Sequence, residues 1–154
     1  MADMNLDEFD RWLKEGTARV INKFETETYL KVNSVTSSAA KNTAPVRAEG
    51  GGYLRDTIDT YGHVEATPEY VEMGITANAE YAIFVEYGTG YLSDDPTHTH
   101  TPKKSWVYRD EITGERHIGK PQKPKRFMRD AMAAVTDEVK DILKKDAIEA
   151  LKDD

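Results

Sequence analysis

The sequence predicts an α+β fold in which a long N-terminal helix and a C-terminal helix flank a small antiparallel sheet with hairpins. Near both ends of the 154-residue chain, apolar residues recur at three- and four-residue steps, which is typical of amphipathic helices. In the middle, short segments alternate apolar with polar residues, as half-buried strands do. We therefore expect a single domain over residues 1–154. Its parts are an N-terminal helix in 1–44, the sheet and its loops in 53–120, and a C-terminal helix in 124–151 packed on the sheet.

The N-terminal helix carries signals at both ends. Its apolar stripe runs through residues 6–39. Asn5 can cap the first turn while Glu8 reaches back to it, which is the pattern of a capping box. At the other end, Pro45 disfavours a helical conformation in the residue before it, and a run of three glycines follows. The weak points at which this helix could divide in two are Gly16, Thr26 and Thr28.

Strands are predicted between the helices. Residues 53–66 and 70–75 show short apolar and β-branched alternation, and we expect antiparallel strands there. The clearest hairpin joins the segments SWVYRD (105–110) and ERHI (115–118). Gly114 is expected to supply its turn.

The stretch YAIFVEYGTG, residues 81–90, places an aromatic and aliphatic set beside a glycine-containing turn. The residues expected to bury one side of a helical turn or short strand are Tyr81, Phe84, Val85 and Tyr87. Gly88 and Gly90 allow a positive φ or the close approach of another backbone. This composition favours packing and assembly over catalysis.

A polar, proline-bearing segment without periodicity, residues 91–102, is predicted to be a loop that is mobile before assembly. It contains His98 and His100, with Asp94 and Asp95 upstream, and these are ligand types that a divalent metal accepts. A zinc site needs three or four convergent ligands and an ordered surrounding shell. We therefore expect a solvated loop and no metal.

Other patterns argue against an enzyme or a membrane protein. The sequence has no Cys, which excludes disulfides and thiolate sites. Neighbouring carboxylates such as Asp110 and Glu111 usually diverge, and the GTG at 88–90 lacks the Lys and Ser/Thr of a phosphate loop. No stretch approaches the ~20 apolar residues that span a bilayer, and the acidic first ten residues lack a secretory pattern. We expect a cytoplasmically made protein without cofactor or membrane contact.

Charge is unevenly distributed along the chain. The whole sequence carries a net charge of −7, yet residues 103–129 contain nine Lys or Arg against three Asp or Glu. Within this basic segment, Lys123, Lys125 and Arg126 lead into Phe127, and Trp106 lies in the hairpin. Such a mixture suits contact with an acidic protein surface, plain solvation, or proximity to a phosphate backbone. The sequence leaves these three interpretations open.

The order of these motifs resembles a known family. The motifs are AP, GGYLRDTI, YAIFVEYGTG, a Trp-containing hairpin and PKRFMRDA, over about Pro45 to Ala131. In this order they resemble the tail-completion or head–tail joining (neck) proteins of long-tailed double-stranded DNA phages and prophages, of the minor tail protein Z type. The positions that fall on the recurrent motifs are Pro45, Leu54, Arg55, Tyr81, Ala82, Glu86, Tyr87, Gly88, Thr89, Phe127 and Ala131.

The resemblance implies a structural virion protein without enzymatic activity. Such a protein is made in the host cytoplasm and assembles as a ring, here expected to be a hexamer, while the isolated subunit can stay monomeric. Its expected partners are other copies of itself, a head-connector or adaptor protein, and a tail-terminator or tail-tube protein. Glu86 is expected to pair with a base such as Arg55, within or between subunits. The residues expected at interfaces or motif positions are Arg55, Tyr81, Phe84, Glu86, Tyr87, Gly88, Thr89, Gly90, Trp106, Lys123, Lys125, Arg126 and Phe127.

Two rival hypotheses remain. One is a small nucleic-acid-binding module that uses the basic segment 103–129 and would show steep salt dependence. The other is a metal-dependent enzyme that uses His98, His100 and Asp95.

Overall fold

The computed structural model describes residues 5–46, 52–60, 65–109 and 113–152, and it confirms the α+β class. The helices are α1 (Leu6–Lys23), α2 (Tyr29–Thr43), α3 (Tyr53–Asp56), α4 (Ala82–Tyr87) and α5 (Phe127–Lys152), with a π-helical turn over Phe24–Thr28 between α1 and α2. The strands are β1 (Ile58–Thr60), β2 (Glu65–Ala66), β3 (Val71–Glu72), β4 (Ile75–Ala77), β5 (Trp106–Arg109) and β6 (Arg116–Gly119). Among the described residues, no helix combines the length and apolar composition that a bilayer crossing requires.

The chain divides into two compact units, each built from separate segments. The first unit comprises residues 1–39, 59–76 and 132–154, and the second comprises 40–58 and 77–131. The chain therefore passes from one unit to the other inside α2, β1, β4 and α5.

The first unit is mainly helical. Its buried apolar residues come from the π turn, α2, β2 and α5, and they are Phe24, Val32, Ala66, Val135 and Ala150. The predicted capping box is confirmed, because Glu8 N donates to Asn5 Oδ1 at 2.9 Å and Asn5 N donates to Glu8 Oε2 at 3.0 Å. Gly16 is the site of a close approach, since a Cβ there would lie 2.9 Å from Leu151 Cδ2 on α5.

The predicted weak point near Thr28 is a π turn rather than a break. Thr28 is fully buried, and its hydroxyl donates to Asp146 Oδ2 on α5 at 2.8 Å. Lys31 Nζ donates to the same carboxylate at 2.8 Å. Burial alone would raise the pKa of Asp146, but the hydrogen bonds from Lys31 and Thr28 outweigh it and lower the pKa. The π turn thus lies where a buried polar group meets its partner on another helix.

The strand predictions for 53–66 and 70–75 were partly wrong. Residues 53–56 form α3, because Leu54 is buried and the Thr57 hydroxyl closes the turn on Leu54 O at 2.9 Å. The 70–75 segment changes partner in its middle, so β3 pairs with β2 and β4 pairs with β1. One small sheet was expected, whereas the described strands form three separate two-stranded sheets. Part of the first segment, 61–64, lies outside the described residues.

The hairpin of β5 and β6 is confirmed. The two strands pair antiparallel with Trp106 opposite Gly119, and Gly114 has the positive φ of 72° expected for its turn. A Cβ at Gly119 would lie 2.5 Å from Trp106 Nε1, so the indole lies directly over this glycine. Residues 110–112, which include part of the predicted turn, lie outside the described residues.

Candidate functional site

Two segments that are distant in sequence come together in the second unit. They are residues 81–90, which contain α4, and residues 121–129, which lead into α5. Main-chain hydrogen bonds join them: Lys125 N to Val85 O at 2.9 Å, Arg126 N to Glu86 O at 3.1 Å, Thr89 N to Gln122 O at 2.9 Å and Gln122 N to Thr89 O at 3.3 Å. We call this arrangement the motif junction, because it unites two motifs that the sequence showed separately.

Glu86 caps the N-terminus of α5 from outside that helix. Its side chain is buried, and Oε2 accepts the N–H of Met128 at 2.9 Å while Oε1 accepts the N–H of Arg129 at 3.1 Å. The first N–H groups of a helix have no partners inside it, and the positive end of the helix favours an anion. Arg126 occupies the N-cap position, where its carbonyl accepts the N–H of Asp130 at 2.8 Å. Glu86 thus supplies the acceptor that a Ser, Thr, Asp or Asn at position 126 would otherwise provide.

The contact of Glu86 with α5 differs from the expected pair with Arg55. The Arg55 guanidinium instead donates to its neighbour Asp56, Nε to Oδ1 at 3.0 Å. A buried carboxylate on two main-chain donors needs no basic side chain to be satisfied.

Asp94 fixes the side chains at the same helix start. Arg126 has a positive φ of 52°, which aims its side chain back to Asp94 with Nη2 to Oδ2 at 2.9 Å. Arg129 Nη2 donates to the same oxygen at 3.0 Å. The hydrogen bond from Arg129 is the main cause that lowers the pKa of Asp94; partial burial opposes it and Arg126 adds to it. Sequence reasoning treated Asp94 as a solvated acid, since nothing local shows a partner 32 residues away.

The glycines of the motif junction allow the two segments to meet. Gly88 has a φ of 79°, and a Cβ there would lie 2.5 Å from Gln122 O. Gly90 has a φ of 66°, and its Cβ would lie 2.9 Å from Pro121 Cγ. The prediction of a positive φ or a close approach is confirmed, since Gly88 and Gly90 each show both features. Any side chain at Gly88 would force the two segments apart.

The predicted burial of the aromatic residues in 81–90 was wrong. The buried face of α4 carries Ala82 and Glu86, which are one helical turn apart. Tyr81, Phe84 and Tyr87 keep 43%, 44% and 39% of their surface exposed. Glu86 takes the inward position because the helix end of α5 lies there, so the aromatic side chains point elsewhere. Phe127, in contrast, is almost fully buried and belongs to the core of the second unit.

The loop at 91–102 is closed by its own side chains. Asp95 Oδ1 accepts the N–H of Thr97 at 2.9 Å, and its Oδ2 lies 3.0 Å from His98 Nδ1. The loop returns to the motif junction where Thr101 N donates to Gly90 O at 3.2 Å. In the part of the chain that the structure describes, no three His, Cys, Asp or Glu residues are placed to hold a metal ion. Mobility before assembly stays a prediction.

A groove with a volume of about 1100 Å³ lies within the second unit. Its aromatic lining consists of Tyr53, Tyr81, Phe84, Trp106 and Tyr108, and its cationic lining of Lys103, Lys120, Lys123 and Lys125. No Asp or Glu is among the described residues that line it. We call it the lysine groove. Of the expected interface residues Arg126 faces Asp94, while the groove brings together Tyr81, Phe84, Thr89, Gly90, Trp106, Lys123 and Lys125.

Sequence reasoning did not single out Tyr53, Lys103, Lys120 or Gln122. Tyr53 was assigned to a strand, whereas the short helix α3 brings its ring within 6.2 Å of Tyr81. The two lysines were visible only as part of a basic count. Their grouping depends on the β5–β6 hairpin and the motif junction, which are tertiary features.

The fold is that of a small α+β protein in which a buried carboxylate, Glu86, joins two segments of the chain. The sequence model of one family matches residues 1–88: the HK97-gp10-like family, described as "Bacteriophage HK97-gp10, putative tail-component". The match covers more than half of the chain, so the chain belongs to this family of phage tail components. The resemblance to phage tail proteins is thereby confirmed. The curated proteins and the solved structures contained no match.

Proposed function

We propose that this protein is a structural component of the virion that completes the phage tail at the head–tail interface by assembling into a ring. Family membership supports a structural role in the tail. The motif junction is the observation that carries the proposal further. It holds 81–90 and 121–129 in one fixed frame, so the aromatic and lysine side chains beside it form a defined surface for another protein.

The charged groups at this frame serve structure rather than chemistry. Both oxygens of Glu86 accept main-chain N–H groups, and Asp94 accepts from two arginines. A general acid or base must reach a substrate proton, and a carboxylate already held by two helix N–H groups is poorly suited to that role. We therefore propose a protein without enzymatic activity or cofactor.

A ring requires two complementary faces on each subunit, because head-to-tail contacts that close on themselves generate cyclic symmetry. In the proposed arrangement the ring is a hexamer in the neck of the virion. One side contacts the head-connector or adaptor protein, and the other contacts the tail-terminator or tail-tube protein. The isolated subunit can be monomeric before these partners are present.

The test is size-exclusion chromatography with light scattering on the protein alone, and then mixed with the head-connector and tail-tube proteins of the same phage. A discrete ring or stable co-elution with either partner is expected. A phage that lacks the gene should accumulate filled heads and separate tails, which electron microscopy can count. A protein that meets neither partner, together with normal virions in its absence, would refute the proposal.

The lysine groove also favours a second candidate, a nucleic-acid-binding module. Four lysines beside Trp106 and Tyr108 offer both phosphate contacts and surfaces for base stacking. This candidate predicts that DNA affinity falls steeply as salt rises. An electrophoretic mobility shift measured over a salt series separates it from the ring-forming protein.

A further inference from the structure

The first three turns of α1 carry an apolar stripe that no described part of the chain covers. Residues 5–15 are all exposed, although Leu6, Phe9, Trp12 and Leu13 lie on one face. Leu6 is 85% exposed, and Phe9 and Leu13 are 46% and 44% exposed. The Phe9 and Trp12 rings stack on each other with their centroids 6.1 Å apart. A helix that is amphipathic but unburied is a surface for a partner.

This stripe is bordered by acids. Four Asp or Glu and two Lys or Arg lie within residues 5–15. At the helical spacing of 100° per residue, Asp10 follows the stripe on one side, where it pairs with Lys14 (Nζ to Oδ2 at 2.7 Å), and Glu8 and Glu15 border it on the other. The start of α1 is therefore an acidic amphipathic helix with an aromatic centre.

The lysine groove has the opposite character. Its lysines are unopposed by acids among the described lining residues, and its floor and rim include exposed aromatic and aliphatic side chains such as Tyr53, Tyr108 and Ile118. Amphipathic helices bind in grooves of this kind, with apolar anchors at i, i+3 and i+7 and with charges at the rim.

We propose that the first three turns of α1 of one copy dock in the lysine groove of the next copy. Leu6, Phe9 and Leu13 would contact the aromatic lining, and the flanking acids would meet the lysines. The two faces are different, so the contact is head-to-tail and repeats from copy to copy. This inference rests on the proposed ring, to which it assigns the contact between neighbouring subunits.

The test uses two variants with reversed charge, one variant without the apolar anchors, and two controls. The helix variant is Asp10→Lys with Glu15→Lys, and the groove variant is Lys123→Glu with Lys125→Glu. Phe9→Ala with Leu13→Ala removes the apolar anchors. The matched controls are Leu30→Ala, an exposed leucine of α2, and Lys140→Glu, an exposed lysine of α5. All these side chains are exposed or at the groove, so circular dichroism should show folded protein in each case.

Self-association is measured by analytical ultracentrifugation over a concentration series, up to the solubility limit. Each test variant should weaken it by more than about tenfold, the equivalent of one good interface anchor, and the controls should match the wild type. A mixture of the Phe9→Ala, Leu13→Ala variant with the groove variant should form dimers that do not grow, since each dimer has one intact contact and two defective free faces. Combining both charge reversals in one chain should restore assembly.

Other outcomes overturn the inference. They include a wild type that stays monomeric at every concentration both alone and with the head-connector and tail-tube proteins, test variants that assemble as well as the wild type, and groove variants whose only defect is lost DNA binding. The ring proposal is scored separately, by whether the deletion phage leaves heads and tails unjoined. Unjoined heads and tails with unaffected self-association would reject this contact alone, whereas variant-sensitive assembly with normal virions from the deletion phage would reject the tail role alone.

Discussion

Glu86 Oε2 accepts the main-chain N–H of Met128 at 2.9 Å, across 42 positions of sequence. Through this bond the last turn of α4 controls where α5 begins. The capping acceptor comes from α4 because Arg126, at the N-cap position of α5, has a side chain that cannot accept a hydrogen bond.

Removing this cap should destabilise the protein measurably. We expect Glu86→Ala to lower the free energy of unfolding by about 2 kcal/mol, because the two N–H groups at the start of α5 lose the buried carboxylate that accepts their hydrogen bonds. Glu86→Gln should lower the free energy of unfolding by less than Glu86→Ala does, since its one amide oxygen can still accept a hydrogen bond. Urea denaturation followed by circular dichroism gives the values. Glu80→Ala, at an exposed acid just before α4, is the control and should match the wild type.

The two turn glycines Gly88 and Gly114 give a matched pair. Both have a positive φ, so alanine strains the backbone at each, and the strain is greater at Gly88, whose φ of 79° with ψ of −172° is a combination that essentially only glycine adopts. Only Gly88 also faces main chain at 2.5 Å, whereas the nearest atom at Gly114 is 3.6 Å away. Gly88→Ala should therefore cost about 1–3 kcal/mol more than Gly114→Ala. Equal melting temperatures for the two variants would show that the segments of the motif junction can separate freely.

Trp106 and Gly119 should be energetically coupled. A Cβ at residue 119 would overlap the indole, so Gly119→Ala should displace the ring and cost about 1–2 kcal/mol. In a Trp106→Ala background the same substitution should cost much less, because the obstructing ring is gone. A double-mutant cycle from thermal or urea denaturation measures the difference. Additive effects would place the ring elsewhere in solution.

Acid should weaken the first unit through Asp146. Its pKa in the folded chain lies below the ordinary value of 3.8, so the unfolded chain binds its proton first as the pH falls. The stability contributed by Asp146 is thus complete above the ordinary value and is lost as the pH falls through the lowered one. We expect Lys31→Met, which removes a donor to the carboxylate, to reduce this acid-dependent loss.

Urea titrations at a series of acidic pH values test this sign. Asp94 and Asp95 have lowered pKa values as well, so Asp94→Asn serves as a reference that removes one further contribution of the same direction, while the contribution of Asp95 is common to all the variants. In the Asp94→Asn background, Lys31→Met should flatten the remaining slope of stability against pH. An unchanged slope would mean that Lys31 does not stabilise the Asp146 carboxylate.

Local features were predictable from the sequence. The capping box at Asn5 and Glu8, the turn at Gly114 and the positive φ of the glycines at 88 and 90 each depend on residues close together in the chain. Helix periodicity likewise gave α1 to α2 and most of α5. These signals act over one or two turns, so no tertiary knowledge is needed to use them.

Features set by distant contacts were not predictable. The alternation at 53–66 suggested strands, but burial of Leu54 and the Thr57 cap favour helix in its first turn. The inward position of Glu86 depends on a helix end that a single sequence does not place beside α4. The three-part sheet arises because the strand segment at 70–75 changes partner, which periodicity cannot show.

The main-chain bonds of the motif junction have a consequence for the protein surface. The hydrogen bonds from Gln122 and Lys125 to residues 81–90 join main-chain atoms to main-chain atoms. Many side chains can therefore occupy positions 123 and 125 without loss of these bonds. Side chains at these surface positions can change while the fold is kept. The protein thus builds its frame from main-chain bonds and leaves the chemistry of its surface to side chains that the frame does not need.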